Sequence, residues 1–346
     1  MKKILSSLLA LSVLFGSAAY LGNPETADMN FGTQAYAADI VKSGVCGENL
    51  TWTLDSDGLL SIKGTGEMTN WKFISMTYKQ YEFTDIDFDG EPVPWFEDKD
   101  SIKRVEIGSG VENIGDVAFV GLQNLESVSI PVGVTEIGNF AFFFCTSLKS
   151  VKMPVTVTNM GKEAFDRCHS LTEITVSEAV NEIKVSTFEE CLKLTSVKIP
   201  ASVKKVDFFA FEACPALESV FVMNPNCEIY NRVNTLGGFV DRCTIYGYEN
   251  STAQVHAEKY GYNFVAFVLG DVDFDGAVNA SDASQILADY ASSATGSGHI
   301  LTAEELVISD VNSDGAVDSS DASTVLAYYA YTATGGELSL ADFIEK

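Results

Sequence analysis

The chain has 346 residues, enough for two or three domains, and its formal net charge is −26. This charge argues against nucleic acid or an anionic membrane as a partner, since both would repel the protein. Hard cations are the natural counterpart of its 48 acidic side chains.

Residues 1–37 have the features of an export signal. Two lysines form the positive end, an apolar run covers residues 4–15, and the sequence A-Y-A at 35–37 supplies a cleavage site. An earlier cut near Ala19 is an alternative, because residue 37 lies far from the apolar run. No later segment offers ~18 consecutive apolar residues, so we expect a secreted protein that does not insert into a membrane.

Residues 38–101 are predicted to form an N-terminal cap. The sequence LTWTLDSDGLLSIKG alternates between apolar and polar residues around Asp57-Gly58, which predicts a hairpin. A later stretch of the cap is rich in aromatic residues: Trp71, Phe73, Tyr78, Tyr81, Phe83, Phe88, Trp95 and Phe96. Their rings either contact sugars or a protein partner, or cover the apolar end of the next segment, which we favour. The same stretch imitates a calcium loop at 85–90, but Phe96 at its twelfth position cannot close one.

A 23-residue repeat runs through residues 102–223. Several apolar columns keep this spacing, and the first consists of Ile102, Leu125, Leu148, Leu171, Leu194 and Leu217. Another column contains phenylalanine in five copies: Phe119, Phe142, Phe165, Phe188 and Phe211. One copy cannot bury its apolar face alone, so the copies are predicted to stack into a solenoid with a continuous core. Alternating residues within each copy predict a short strand per coil.

Four of the seven cysteines also follow the repeat, three residues after a phenylalanine. These are Cys145, Cys168, Cys191 and Cys214. We interpret them as a ladder of small buried residues, one per coil. Disulfide bonds are the alternative, but neighbouring members of a ladder would compete for partners.

Residues 224–267 are predicted to form a C-terminal cap with a strand, a short helix and a last strand. Residues 46–267 resemble the BspA-like class of bacterial surface leucine-rich repeats, in the frame L-x-x-V-x-I-P-x-x-V-x-x-I-G-x-x-A-F-x-x-C and in both cap sequences. The resemblance implies a mainly β leucine-rich-repeat solenoid. It also implies binding or adhesion, with an unknown protein or glycan as the ligand.

One acidic, glycine-centred sequence occurs twice, as GDVDFDGAVNASD from Gly270 and SDVNSDGAVDSSD from Ser309. An EF-type calcium loop takes side-chain oxygens from positions 1, 3, 5, 9 and 12, a backbone carbonyl from position 7, and glycine at position 6. The first sequence offers the ligands Asp271, Asp273, Asp275, Ala277, Asn279 and Asp282. The second offers Asp310, Asn312, Asp314, Ala316, Asp318 and Asp321. Gly276 and Gly315 occupy position 6, so both loops are predicted to bind calcium, with one ion each.

Each loop is followed by a predicted helix, DASQILADYA or DASTVLAYYA. Apolar residues share one face of each helix. They are Ala283, Ile286, Leu287 and Tyr290 in the first helix, and Ala322, Val325, Leu326 and Tyr329 in the second. The sequence TAEELV, from Thr302, predicts a short helix between the two halves.

Residues 268–336, within a predicted domain at 268–346, resemble a type I dockerin: two calcium loops, each with only the following helix and with aspartate at position 12. The resemblance implies a small all-α calcium-binding domain that binds a cohesin on a scaffoldin and so joins a cellulosome. Contacts carried over from the family are loop positions 10 and 11 and the exposed helix face. Those positions are Ala280, Ser281, Ser319 and Ser320. Much of the family has Ser-Thr there, so Ala280 leaves the type of cohesin open.

These patterns together predict a secreted, non-catalytic binding protein that a dockerin attaches to a cellulosome-type scaffold in polysaccharide degradation. The alternatives are a cellulosomal enzyme, such as a glycoside hydrolase, and an inhibitor or other regulator of neighbouring enzymes. The three histidines are isolated and no G-x-S-x-G sequence occurs. Glu189 and Glu190 are more typical of a solvated face than of an opposed catalytic pair. Phe143 and Phe144 stand at the equivalent columns of another coil and form a candidate exposed patch.

Overall fold

The computed structural model describes residues 38–79, 82–301, 303–312, 314 and 316–344. The predicted export signal at 1–37 and residues Tyr81, Thr302 and Gly315 lie outside this part. Among the helices described, none is long and apolar enough to cross a membrane.

The chain first forms three antiparallel strands, β1 (Ile40–Val45), β2 (Leu50–Asp55) and β3 (Leu59–Gly64). The predicted hairpin is confirmed, with Gly58 at a φ of 81° in the turn between β2 and β3. One carboxylate oxygen of Asp55 accepts hydrogen bonds from the amides of Asp57 and Leu59, both at 2.9 Å. This side chain fixes the turn, and β3 then pairs in parallel with the first strand of the repeats.

A second hairpin follows, formed by β4 (Phe73–Lys79) and β5 (Glu82–Phe88). It lies against the side of the solenoid, where Gln123 exchanges hydrogen bonds of 3.2 and 3.3 Å with the backbone of Phe83. The ring of Tyr78 lies 6.2 and 5.3 Å from those of Phe143 and Phe144, which are 3% and 0% exposed. The expectation of an exposed patch at these two residues was wrong, because the hairpin covers them.

The repeat region is a regular series of short coils, each with a longer strand followed by a two-residue strand. The strands are β6 (Arg104–Ile107), β7 (Asn113–Ile114), β8 (Ser127–Ser129), β9 (Glu136–Ile137), β10 (Ser150–Lys152), β11 (Asn159–Met160), β12 (Glu173–Thr175), β13 (Glu182–Ile183), β14 (Ser196–Ile199), β15 (Lys205–Val206), β16 (Ser219–Val222) and β17 (Glu228–Ile229). Paired strands are parallel and keep the repeat register, as in Val151 opposite Ile174 and Val197 opposite Val220. The predicted solenoid is confirmed.

Ladders of identical residues form the core of the solenoid. The five phenylalanine rings stack with centroid distances of 5.1 to 5.6 Å, and all are fully buried. The cysteine ladder is also confirmed: all seven cysteines are buried free thiols. Each of the four repeat cysteines donates from Sγ to the carbonyl oxygen of a phenylalanine in the preceding coil, at 3.2 to 3.4 Å. The thiol therefore satisfies a carbonyl between coils while it fills the core.

Three tryptophans close the N-terminal end of this core. Trp95 is fully buried, stacks on Phe119 at 5.8 Å, and meets Trp52 and Trp71 edge-on at 5.7 Å. Its indole nitrogen donates to the carbonyl oxygen of Ala118 at 2.9 Å. The favoured interpretation of the aromatic stretch is confirmed for these rings, while those of the second hairpin cover the side rather than the end. The segment that imitates a calcium loop is largely strand β5.

The C-terminal cap has the predicted order of β18 (Thr244–Gly247), α1 (Thr252–Tyr260) and β19 (Asn263–Ala266). Ser251 caps α1, because its Oγ accepts a hydrogen bond of 3.2 Å from the Gln254 amide. Gly261, at a φ of 82°, ends the helix. Both strands extend the solenoid sheet in the order β14-β16-β18-β19.

The rest of the chain forms a small helical domain with α2 (Ala280–Ala294), α3 (Ala303–Ser309), α4 (Ser319–Ala333) and α5 (Leu340–Ile344). Its buried apolar core is Val272, Ala283, Ile286, Val311, Ala322, Val325 and Leu340. Helix α5 was not predicted. It returns to the start of the domain, where a Cβ on Gly270 would come within 2.7 Å of the Leu340 side chain.

Candidate calcium loops and docking helices

Three of the predicted ligands meet at the start of the first acidic loop. Carboxylate oxygens of Asp271, Asp273 and Asp275 lie within 4.8 Å of one another. The carboxylate of Asp271 is almost fully buried and accepts hydrogen bonds from the amides of Asp275 and Gly276, at 3.1 and 3.0 Å. Burial raises the pKa of Asp271 to about 6, and the neighbouring carboxylates add to this effect. Three converging hard oxygen donors suit a calcium ion, which would offset their mutual repulsion.

Asp282, at loop position 12, joins the loop to the helix that follows. One of its oxygens accepts hydrogen bonds from the amides of Val272 and Asp273, at 2.6 and 3.2 Å, and the other from that of Asn279 at 2.8 Å. Asn279 in turn accepts a 2.7 Å hydrogen bond from the Ser281 amide, so the pair forms a capping box for α2. The carboxylate is fully buried, and burial raises its pKa.

The two remaining predicted ligands of the first loop contact each other. The side-chain nitrogen of Asn279 donates to the carbonyl oxygen of Ala277 at 3.0 Å. The structure thus brings both residues to the same side of the loop. The Ala277 carbonyl oxygen accepts this bond, and the Asn279 side-chain oxygen accepts one from the Ser281 amide at the N-terminus of α2.

The second loop repeats this backbone arrangement in its described residues. The Asp314 amide donates to Asp310 at 3.1 Å and to Asn312 at 2.9 Å. Asp321 accepts from the amides of Val311, Asn312 and Asp318, at 3.0, 3.3 and 2.9 Å. Asp318 forms the capping box of α4, and Ala316 donates to Asp314 at 2.9 Å. Because the same contacts recur after 39 residues, the two loops are structural copies.

The face of each following helix is only partly buried, contrary to the simple amphipathic pattern. Ala283 and Ile286 of α2 are buried, whereas Leu287 and Tyr290 are 40% and 41% exposed. In α4 the equivalent Leu326 and Tyr329 are 42% and 45% exposed, while Ala322 and Val325 are buried. Loop positions 10 and 11 are exposed in both halves, at Ala280, Ser281, Ser319 and Ser320. Each helix therefore presents an apolar pair and a small-residue start to solvent.

The two helices differ at one internal position. Asp289 of α2 is fully buried and accepts hydrogen bonds from His299, Ile300 and Leu301, at 2.6 to 2.8 Å. Burial acts to raise its pKa, but these hydrogen bonds outweigh burial and hold the pKa below its usual value. The equivalent Tyr328 donates from its hydroxyl to the Leu338 carbonyl at 3.1 Å. Each residue therefore binds its helix to the segment of chain that follows that helix.

Two segments match known protein families. Residues 94–218 match the BspA type leucine rich repeat region in six copies, and residues 269–330 match the dockerin type I domain. The chain combines BspA-type leucine-rich repeats with a type I dockerin. Both resemblances drawn from the sequence are confirmed.

Solved structures similar to the chain are bacterial leucine-rich repeat proteins. The T. pallidum protein TpLRR is 23% identical and covers 62% of this chain and 94% of its own, with a TM-score of 0.37. A protein of Eubacterium ventriosum is 18% identical over 66% and 74%, with a TM-score of 0.29. One of Bacteroides ovatus is 18% identical over 67% and 69%, with a TM-score of 0.33. The comparison with curated proteins found no match.

The two domain types carry general consequences. Type I dockerins bind calcium and cohesins, so the C-terminal domain implies cohesin-mediated attachment to a cellulosome. The repeat region suggests a binding function, and neither domain family is catalytic. Both types are typical of proteins outside the cell or at its surface.

Most of the outward face of the repeat sheet is mixed and polar. Arg104, Glu106, Glu173 and Thr175 are exposed on it, as are the serines of the neighbouring strands. Sequence reasoning missed the aromatic end of this face, where Phe221 of β16 pairs with Tyr246 of β18. The signal was present in the repeat columns, because Phe221 replaces Lys198 of the preceding coil. It was overlooked because the 23-residue spacing ends in the cap.

Glu189 and Glu190 are half-buried rather than part of the solvated face that was expected. Glu190 forms an ion pair with Arg167 and lies 3.8 Å from His169, and all three side chains are at most 20% exposed. Asp166 is 5% exposed, and one of its oxygens has no hydrogen-bond partner. Burial raises its pKa to about 9, and the nearby Glu189 adds to this effect. These contacts place Asp166 in the interior, out of reach of a substrate.

Proposed function

We propose that the protein is a secreted, non-catalytic binding protein of a cellulosome-type system for polysaccharide degradation. Its repeat region presents a binding surface, and its dockerin attaches it to a scaffold through a cohesin. The proposed segments are an export signal (1–37), N-terminal cap (38–101), repeats (102–223), C-terminal cap (224–267) and dockerin (268–346). The observation that carries the proposal is the doubled arrangement of an acidic loop and a helix with an exposed apolar pair.

Calcium organises the dockerin in this proposal, with one ion in each loop. The first ion is held by Asp271, Asp273, Asp275, Ala277, Asn279 and Asp282. The second is held by Asp310, Asn312, Asp314, Ala316, Asp318 and Asp321. The cluster of three carboxylates in the first loop supports this assignment, because hard oxygen donors at this spacing suit calcium. The second loop has hydrogen bonds equivalent to those of the first, which supports the same assignment there.

The cohesin contacts either helix through its exposed start and its apolar pair. Ala280 and Ser281 with Leu287 and Tyr290 form one face, and Ser319 and Ser320 with Leu326 and Tyr329 form the other. Apolar side chains that remain exposed at matching positions of two helices are typical of a docking surface. Asp289 and Tyr328 take no part in the choice between the faces, since their side chains are engaged inside the domain.

Charge restricts the surface of the cohesin that fits these faces. Residues 268–346 contain 14 acidic side chains and a single lysine at the C-terminal end. Two calcium ions would offset part of this charge and leave the domain anionic. The complementary cohesin surface is therefore apolar with a neutral or basic rim, because an acidic surface would be repelled.

The attachment is tested with the full chain and a panel of purified cohesins, by calorimetry in calcium and in excess chelator. We expect at least one cohesin to bind in calcium and none in chelator. Asp271→Asn with Asp310→Asn should abolish binding, whereas Asp57→Asn, an exposed change in the cap, should not. Binding that persists in chelator would contradict the calcium-dependent attachment.

The non-catalytic role of the repeats is tested separately. The protein alone should release no reducing sugar from plant polysaccharides, and it should be retained on an immobilised glycan or protein ligand through residues 38–267. A release of sugar by the purified wild-type chain that scales with its concentration would favour the enzyme alternative.

A further inference from the structure

The outward face of the repeat sheet ends in four aromatic residues beside the dockerin. Phe221 stacks on Tyr246, with ring centroids 4.5 Å apart and planes at 16°. Phe267, just after β19, meets Tyr248 edge-on at 5.0 Å and 83°. All four side chains are half-buried. Together they form the aromatic joint surface.

Phe274 of the dockerin covers this surface. Its ring centroid lies 5.3 Å from both Phe221 and Phe267, at interplanar angles of 55° and 52°. In the sequence, Phe274 stands between Asp273 and Asp275, two of the three clustered carboxylates. The loop proposed to hold the first calcium ion is therefore the part of the dockerin that contacts the repeat region.

The connection between the two domains is very short. The Phe267 amide donates to the Gly247 carbonyl at 2.7 Å and so extends the sheet of the cap. Three residues later, the Gly270 amide already donates to the Ile308 carbonyl in the dockerin, at 2.8 Å. Only residues 268–269 lie between these hydrogen bonds. The linker therefore allows little relative motion of the two domains, even before the ring contacts are considered.

We propose that Phe274 is a positioning residue that couples calcium binding in the first loop to a fixed orientation of the repeat region. The inference rests on the proposed calcium loops. Without a cation, the carboxylates on both sides of Phe274 repel one another and loosen the backbone that carries its ring. With the ion bound, that backbone is held and the ring stays on the aromatic joint surface. Linkage is reciprocal, so the ring contact must strengthen calcium binding by the same factor.

The second loop provides an internal comparison. Ser313 stands at the position equivalent to Phe274, so that loop has no ring to offer. One or two aromatic pairs change an equilibrium constant by about two- to tenfold. We expect the first loop to bind calcium more tightly than the second by a factor of this size.

Two variants of the full chain test the coupling from opposite sides. Phe274→Ser gives the first loop the residue of the second. Phe221→Lys lies in the other domain. Because lysine already occupies the equivalent position of the preceding coil, at Lys198, the fold of the repeats should tolerate this change. Phe274→Tyr keeps a ring and should behave like the wild type. Phe239→Ser, at an exposed phenylalanine of the cap, is the control for loss of a surface ring.

Calorimetric calcium titration gives the first readout. Phe274→Ser and Phe221→Lys should each weaken the tighter site about two- to tenfold and leave the weaker site unchanged. An unchanged tighter site in Phe221→Lys would overturn the coupling while leaving the calcium loops intact. A wild-type chain that binds no calcium would overturn the proposed calcium loops, and this inference with them.

Solution X-ray scattering gives the second readout. Calcium-loaded wild type should show a narrow distribution of domain separations. Chelation, or Phe221→Lys in calcium, should broaden it, whereas Phe274→Tyr and Phe239→Ser should not. A distribution that stays equally narrow in Phe221→Lys would contradict the role of the ring contact.

Discussion

The repeat region and the dockerin maintain their folds by different means. In the repeats, identical side chains stack coil upon coil, so every added coil extends the same phenylalanine and cysteine ladders. In the part of the dockerin that the structure describes, the core cluster has seven buried apolar residues, and the first loop gathers three carboxylates. A domain this small rarely gains enough from apolar burial alone, whereas bound metal supplies folding free energy directly.

Two domains of one chain can therefore differ in whether their folds depend on a bound ion. The repeats satisfy their backbone groups between coils, with no acidic group needed in the core ladders. In the dockerin, Asp282 and Asp321 each belong to the capping box of a helix and also close the preceding loop. Removal of the ion should therefore destabilise the dockerin and change the stability of the repeat region little.

Chelation should produce the largest effect. Among the described residues, four of the five α-helices belong to the dockerin, so excess chelator should remove most of the helical circular dichroism signal of the full chain. All three tryptophans lie in the N-terminal cap, so their fluorescence reports on the repeat region alone. We expect the fluorescence-detected unfolding midpoint to change little on chelation. An unchanged helical signal in chelator would contradict the ion dependence of the dockerin.

A cavity in the repeats should give the reverse pattern. Leu171→Ala empties a fully buried position in the middle of the stack and should lower the free energy of unfolding of the repeat region by about 2–5 kcal/mol. The helical signal of the dockerin and its response to calcium should stay the same. Val155→Ala, at an apolar residue that is 69% exposed, is the control and should change the free energy by less than ~0.5 kcal/mol. Equal effects of both variants would contradict the arrangement of the ladders.

The sequence alone predicted the structure of every segment that contains a repeated pattern. The 23-residue columns predicted the coils, and the doubled acidic sequence predicted the loops, because repetition exposes which positions are fixed by packing. Single insertions carry no such signal. The hairpin of β4 and β5 and its cover over Phe143 were missed, since nothing in one aromatic stretch specifies which coil it contacts.

For the candidate site, residue identities were predictable but their orientation was not. The sequence placed Leu287 and Tyr290 on the same face as Ile286, yet only Ile286 is buried. Which part of an apolar face is covered depends on the position of the neighbouring helix, a tertiary property. Asp289 and Tyr328 differ between the two helices, and each side chain binds the backbone that follows its own helix.

A buried acid in the repeats should make their stability depend on pH between neutral and mildly alkaline conditions. Burial raises the pKa of Asp166 to about 9, well above its unfolded value of ~3.9, so folding favours the protonated form. Its contribution is therefore complete at acidic pH and is lost as the pH rises toward 9. Asp166→Asn removes this loss and should flatten the dependence by up to ~1.4 kcal/mol per pH unit.

Urea unfolding followed by tryptophan fluorescence between pH 7 and 8.5 measures this effect. This range avoids His256, because burial lowers its pKa to about 4 and its loss of stability falls below neutral pH. Asp57→Asn, an exposed change, should follow the wild-type slope. Parallel slopes for the wild type and Asp166→Asn would contradict the burial of this carboxylate.

The smallest expected effect compares the two halves of the dockerin itself. The helices α2 and α4 present matching apolar pairs, so a cohesin that fits one face also fits the other after a half-turn. Tyr290→Ala or Tyr329→Ala alone then removes one of two equivalent binding modes, and the affinity should fall only about twofold, ~0.4 kcal/mol. The double variant removes both modes and should weaken binding by more than ~10-fold, because buried tyrosines often dominate an interface. Tyr230→Ala, at an exposed tyrosine of the C-terminal cap, serves as the control. Calorimetry with a cohesin that binds the wild type gives these affinities, and a complete loss in one single variant would show that only that face is used.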